Sequence, residues 1–359
     1  MAREGVLQWA GLAGFVGLIS AALIVGERRE EALREPVAQV AVAQPQGPTR
    51  VRLLALGDIN LGRHVGQLIL HGDTLYPFER VADTLKSYDV VFANLESNIS
   101  DQNGRTQDPQ NNLIFTAPPA AAQSLRRAGV SVVSTANNHA LDFGLSARNQ
   151  TIAYLDSARI AHCGTGADSG GLSGPARLTV KGVRLAFFAV TDIMNATALR
   201  WRRYVAAADT GALLPLIRSA RQSADLVLVS FHGGNEYADV PAPRTRQFAR
   251  RVLEAGADIV LGHHPHVAYG IEMREKRVAV FSLGNFVFKQ PGRYWTRFSY
   301  GVAFDILHDS TGTWVQTVRP LPLHADYQPE FLSAGSDADS IRHRIRDLSS
   351  KEASEQITW

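Results

Sequence analysis

The chain has 359 residues, 45% hydrophobic and 20% charged, the balance of a globular protein able to bury a large core. The net charge is only +3, and no dense Lys/Arg run is interleaved with aromatics, so nucleic-acid binding has no support. A single cysteine, Cys163, excludes an intrachain disulfide and a cysteine-based zinc site.

Val6 to Val25 carries no charge over its twenty residues. At about 1.5 Å per helical residue, that length spans the hydrocarbon of a bilayer. An uncleaved membrane anchor over residues 1–26 is expected rather than a signal peptide, because Gly26-Glu27-Arg28-Arg29-Glu30 offers no small-residue cleavage site. Arg3 on one flank and Arg28 and Arg29 on the other do not decide its orientation. Residues 27–49, rich in Glu, Arg, Ala, Gln and Pro, read as a linker. A folded domain is expected over residues 50–325, followed by a polar tail from 326 to 359.

Val51 to Leu56 is a buried strand ending at Gly57-Asp58-Ile59-Asn60-Leu61-Gly62-Arg63. A carboxylate there lies at the carboxyl edge of a sheet, where open α/β folds place ligands. A plain turn aspartate fits Asp58 equally well. A helix from Pro77 to Ser87 leads to a strand from Asp89 to Ala93, which delivers Asn94-Leu95-Glu96. After a polar loop and a helix from Pro119 to Ala128, the strand Val130 to Ser134 delivers Asn137-Asn138-His139. Asp142, three residues on, is placed to hydrogen-bond that imidazole. This alternation predicts parallel βαβ units.

A helix over Leu145–Ser157 precedes a glycine-rich stretch, Cys163 to Gly174, which lacks the Gly-Lys-Ser/Thr of a phosphate loop and reads as a flexible loop. Lys181-Gly182 joins two strands as a hairpin, and Arg200, Arg202 and Arg203 around Trp201 read as a solvated face. Helices over Gly211–Ser223 and Thr245–Ala255 alternate with strands that deliver His232 with Glu236-Tyr237, and then Gly262-His263-His264-Pro265-His266. The strand Arg277–Phe281 ends in Ser282-Leu283-Gly284-Asn285-Phe286, and an antiparallel pair over Tyr300–His308 and Thr313–Val318 closes the domain.

Five strand-like runs thus end in Asp, Glu, Asn or His. Each alone has a dull explanation: a helix cap, a satisfied core histidine, a turn. Together they supply the carboxylate, amide and imidazole donors suited to two divalent metals. The blocks Gly57-Asp58 with Leu61-Gly62-Arg63, Asn94-Leu95-Glu96, Ala136-Asn137-Asn138-His139 with Asp142-Phe143-Gly144, His232 with Glu236-Tyr237, Gly262 to His266, and Ser282 to Phe286 resemble the CapA family. That family is tied to poly-γ-glutamate capsule synthesis and related to calcineurin-like metallophosphoesterases. Two positions depart from pattern: Gly233 where the family commonly has Trp, and Asn60 where the wider phosphoesterases often have His.

The resemblance implies an α/β (α+β) four-layer αββα sandwich of the metallophosphoesterase type behind an N-terminal transmembrane helix. It implies two divalent ions (Mn, Fe, Zn or Mg), one held by Asp58, Asn60 and His266, the other by Asn138, His232 and His264, with Glu96 bridging. His139 is the implied general acid, oriented by Asp142, and His263 sits behind the ligands. Arg63, Glu236 and Asn285 are expected to meet substrate, an anionic polymer or a phosphoester. A membrane-anchored, extracytoplasmic hydrolase working beside a capsule-synthesis ligase is the leading expectation. A non-catalytic assembly or export component and a generic phosphodiesterase are the alternatives.

Overall fold

The first strand shows how the sequence builds the core. Val51, Leu53 and Ala55 pack on one side of it, Leu54 and Leu56 on the other, and all five are buried. A strand covered on both faces reads as a continuous apolar run, as this one does. The computed structural model describes residues 47–166, 172–195 and 200–359.

In chain order, β1 (Thr49–Ile59) leads into α1 (Arg63–Leu70), α2 (Ala82–Lys86) and β2 (Val90–Leu95). A short parallel pair, β3 (Asn98–Ile99) and β4 (Thr116–Ala117), precedes α3 (Ala121–Ala128), β5 (Val132–Ser134), α4 (Gly144–Ser157) and β6 (Ala161–Cys163). Next come β7 (Ala176–Val180), β8 (Val183–Thr191), α5 (Thr210–Arg221), β9 (Leu226–His232), α6 (Pro243–Glu254) and β10 (Ile259–His263). The last stretch holds β11 (Ile271–Arg274), β12 (Arg277–Val280), α7 (Tyr294–Arg297), β13 (Phe298–Asp309) and β14 (Gly312–His324). It ends with β15 (Glu330–Phe331), α8 (Ser336–Leu348) and α9 (Lys351–Gln356).

One sheet runs β15-β14-β13-β1-β2-β5-β6 and the other β11-β12-β10-β9-β8-β7. Within each, the strands joined through helices are parallel: β1 with β2, β2 with β5, β8 with β9, and β9 with β10. Three apolar clusters define the layers. One joins inward residues of both sheets, such as Phe92, Phe187, Leu228 and Phe304. A second packs α1 to α4 on the outer face of the first sheet, and a third packs α5 and α6 on the second. The result is a mixed α/β sandwich with two sheets inside and helices outside, as expected. Lys181 and Gly182 both have positive φ (51° and 83°) in the turn between β7 and β8, the conformation a tight hairpin needs.

The structure corrects three expectations. The helix expected over Pro77–Ser87 is a single 3-10 turn, Tyr76–Phe78, followed by the short α2. Helix α1 was not expected, because its apolar Val65 and Ile69 follow the motif directly with no cap signal. Residues 326–359 are no tail: Ile341, Ile345, Ala353 and Ile357 join the central core, where α8 lies against β13 and β14 and α9 against β11. The segment Val6–Val25 lies outside the described residues, as does part of the glycine-rich stretch. Among the described residues, no helix is long and apolar enough to cross a membrane.

Candidate metal centre

Parallel strands share one carboxyl edge, and the two sheets bring theirs together. In the first sheet Asp58 pairs in register with Asn94, which places Glu96 and the loop after β5 beside it. In the second, His263 is in register with His232, so the histidine run starts where β9 and β10 end. The segment after β12 crosses to the first sheet: Asp58 N–H donates to Gly284 O at 3.0 Å and Phe286 N–H to Asp58 O at 2.9 Å. That approach is why Gly57 has no side chain, since a Cβ there would meet Gly284 O at 1.9 Å. His264 and His266 adopt left-handed φ values of 96° and 58°, an unfavourable conformation for non-glycine residues that is held here by the surrounding loop.

The ligand atoms of Glu96, His232 and His264 lie within 4.8 Å of one another, and so do those of Asp58, Glu96 and His266. Glu96 is common to both groups. It is fully buried, and among the described residues neither carboxylate oxygen has a hydrogen-bond partner. His232 Nε2 is 3.6 Å and His266 Nε2 4.0 Å from Glu96 Oε1. His264 Nδ1 is also buried without a partner. Burying an unpaired carboxylate is costly, and a bound cation is the ordinary remedy. The residues therefore fit a divalent metal.

Burial first, then the charges of Asp58, Glu236 and Asp142, push the Glu96 carboxyl well above its usual range. Burial would also raise Asp58, but the imidazoles of His263 and His266, at 3.3 and 3.5 Å, outweigh it and hold that carboxyl well below. Burial and the neighbouring His264 push His232 well below its usual value, and burial with His266 pushes His264 down to about 3. Both imidazoles are thus neutral at pH 7, the form that binds metals.

His139 Nδ1 bonds Asp142 Oδ2 at 2.8 Å, as the spacing predicted, and its Nε2 is 4.0 Å from Glu96 Oε1. Phe115 stacks on its ring, with centroids 4.2 Å apart. His139, Asp142, Asn138 and Glu236 line an open cleft of about 320 Å³, whose opposite lip is Asn111, Leu113 and Ile114. Such a volume suits a small ligand or one unit of a polymer. Asn138 Oδ1 meets His232 Nε2 at 2.8 Å, so those two side chains lie together.

Three expected sites make contacts of their own. Asn60 Oδ1 accepts Gly62 N–H at 2.9 Å, so one of its lone pairs is engaged by the following turn. Asn285 is fully buried and does not face the cleft: its Oδ1 accepts from His266 Nδ1 at 2.9 Å, and its Nδ2 donates to Gln290 Oε1 and Thr296 O. It fixes the ring of His266, an outer-partner role common around metal-binding histidines. Arg63 donates Nε and Nη2 to Asn112 O at 3.0 and 2.6 Å and lies over Phe115, so it braces the lip of the cleft instead of lining it. At Gly233 a Cβ would fall 2.1 Å from Asp192 Oδ1, so the Asp192 carboxylate fills the space a side chain would take.

Several residues went unnoticed in the sequence. Asn94 donates to Asp58 Oδ1 at 2.8 Å and reaches His232 Nδ1 at 3.2 Å, tying a ligand of each sheet together. Asn137 holds Asn94 and Leu95, and it accepts the His139 N–H. Asn195 accepts from Asn138 Nδ2 at 3.3 Å and lies 3.5 Å from His139 Nε2. Asn94 and Asn137 sit inside the motif blocks and could have been read there; Asn195 follows no pattern.

A two-sheet α/β sandwich whose strand ends converge on buried carboxylates and imidazoles is the class of protein this geometry defines. Residues 52–290 match the family described as bacterial capsule synthesis protein PGA_cap, and the chain belongs to it. It is 31% identical to the PGA biosynthesis protein CapA of Bacillus subtilis over 298 residues, covering 82% of this chain and 76% of that one. It is 29% identical to the capsule biosynthesis protein CapA of Bacillus anthracis over 321 residues, 88% of this chain and 77% of the relative. A solved 5′-nucleotidase precursor of Thermus thermophilus superposes with a TM-score of 0.47 at 14% identity, covering 83% of this chain and 59% of that one.

Proposed function

We propose that the chain is a metal-dependent hydrolase of capsule or envelope polymer handling, acting on a phosphoester or on the γ-glutamyl amide of an anionic polymer. The observation that carries this reading is Glu96, buried, unpaired and shared by two groups of imidazole and carboxylate donors. Asp58, Glu96 and His266 would hold one divalent ion, and Glu96, His232, His264 and Asn138 the other. Such ions, when bound, lower the pKa of water and stabilise negative charge as it develops. The chain's own residues do the rest. His139 Nε2 faces the centre and gives a proton to the leaving group, while Asp142 on Nδ1 and the Phe115 ring fix its direction. The lip braced by Arg63 positions the substrate in the cleft. Val6–Val25 anchors the domain on the extracytoplasmic side of the membrane, beside the ligase that makes the polymer.

The test is the purified full-length chain, assayed for metal content and for cleavage of a chromogenic phosphodiester and of poly-γ-glutamate. Bound metal with cleavage of either supports the reading. Bound metal with neither cleavage moves it toward a non-catalytic holder of polymer carboxylates, and no bound metal ends it.

A further inference from the structure

The loop after β9 brings a further donor to the histidine run. The Glu236 carboxylate lies with the ligand atoms of His264 and His266 inside the same 4.8 Å limit as the buried groups. Two further observations aim it there. Tyr237 N–H donates to Pro265 O at 2.9 Å, with Tyr237 in a left-handed φ of 60°, which locks the Glu236-Tyr237 turn onto the histidine run. The Tyr237 ring stacks beside His266, with centroids 6.1 Å apart, and its hydroxyl accepts from Gln290, which accepts from Asn285, which accepts from His266 Nδ1. The turn carrying Glu236 is therefore tied twice to the histidine beside it. The unpartnered, buried His264 Nδ1 belongs to the same corner.

We infer that Glu236 is a metal ligand, closing the His264–His266 side of the centre from the cleft. This rests on the metal-dependent reading above and deepens it. A third carboxylate beside Asp58 and Glu96 brings the protein's charge closer to that of two divalent ions, and it biases the site toward oxygen-preferring cations such as Mn²⁺. Because Glu236 is exposed while the other ligands are buried, it is the ligand a substrate meets first.

The experiment is Mn²⁺ titration calorimetry with metal counting on the full-length chain and its Glu236→Gln variant, with thermal unfolding as a check on folding. The inference expects two ions on the parent chain. It expects one of them lost or weakened by at least about 10-fold in Glu236→Gln, the loss seen when even an outer partner of a ligand is removed. Two ions at parental affinity in Glu236→Gln would overturn the inference and leave the metal-dependent reading standing. No ion on the parent chain would overturn both.

Discussion

Strand β2 has an acidic residue before it and another just after it, Asp89 and Glu96, and the two are held in opposite ways. At the amino ends of β2, β9 and β10 stand Asp89, Asp225 and Asp258. Each accepts a backbone N–H of the neighbouring strand at 2.8 Å, from Arg52, Arg184 and Val227. Each also meets a cation, Lys181 at 2.7 Å, Arg184 at 2.6 Å and Arg221 at 2.7 Å. At the carboxyl ends, Glu96 has neither kind of partner among the described residues. A carboxylate that holds the fold together is satisfied by the chain itself. One left bare in the core marks a place where the chain expects something else.

The largest effect should come from removing the bare one. Adding Mn²⁺ at 100 times its dissociation constant should stabilise the parent chain by about 2.7 kcal/mol per independent ion. Glu96→Gln should abolish that gain while making the metal-free chain more stable than the metal-free parent, because an unpaired buried charge is gone. Thermal unfolding with and without a chelator reads both. A metal response that survives in Glu96→Gln would remove the contrast between the two ends. Next in size, His139→Ala should lower kcat by about 10²–10⁴-fold with both ions retained. Asp142→Asn should cost less, because it acts only through the imidazole. Loss of metal in either variant would mean that these residues hold the centre together instead of serving the reaction.

Much of this contrast was legible in the sequence. Asp58, Glu96, Asn138, His232 and His264 each follow a short apolar run, and a buried strand ending in a polar ligand type places that side chain at the sheet's carboxyl edge. The parallel βαβ units followed from strands and helices in alternation, and the four layers from the family resemblance. What stayed hidden depends on contacts through space. Asn195 reaches Asn138 from 57 positions away, and Asn285 reads as a cleft residue until its three hydrogen bonds are seen pointing inward. Asn60 sits at a ligand position by the resemblance, and the hydrogen bond from Gly62 N–H to its oxygen shows only in the structure. The polar tail reads as one short helix at most; its place in the core stayed hidden because Ala338, Ile341 and Ile345 form a stripe too narrow to stand out among charged neighbours, although i, i+3, i+7 is helical spacing.

The smallest effect tests the comparison through pH. Hydrogen bonds from Arg184 hold the Asp225 carboxyl below its usual range; at Asp89 burial would raise it, but the Arg52 N–H and Lys181 outweigh that. A depressed folded pKa gives stability that is present above the unfolded value of about 3.9 and lost as pH falls through the folded value. Both pairs have exposed cations, so each should contribute less than about 1 kcal/mol. Glu96 has the opposite sign: its raised pKa means that, in chelator-treated protein, its contribution is intact below the unfolded value of about 4.3 and lost as pH rises. Urea unfolding between pH 3 and pH 8 should therefore show Asp225→Asn losing its deficit as pH falls, and Glu96→Gln gaining its advantage as pH rises. Parallel slopes in the two variants would mean that Asp225 and Glu96 are not, after all, in opposite electrostatic states.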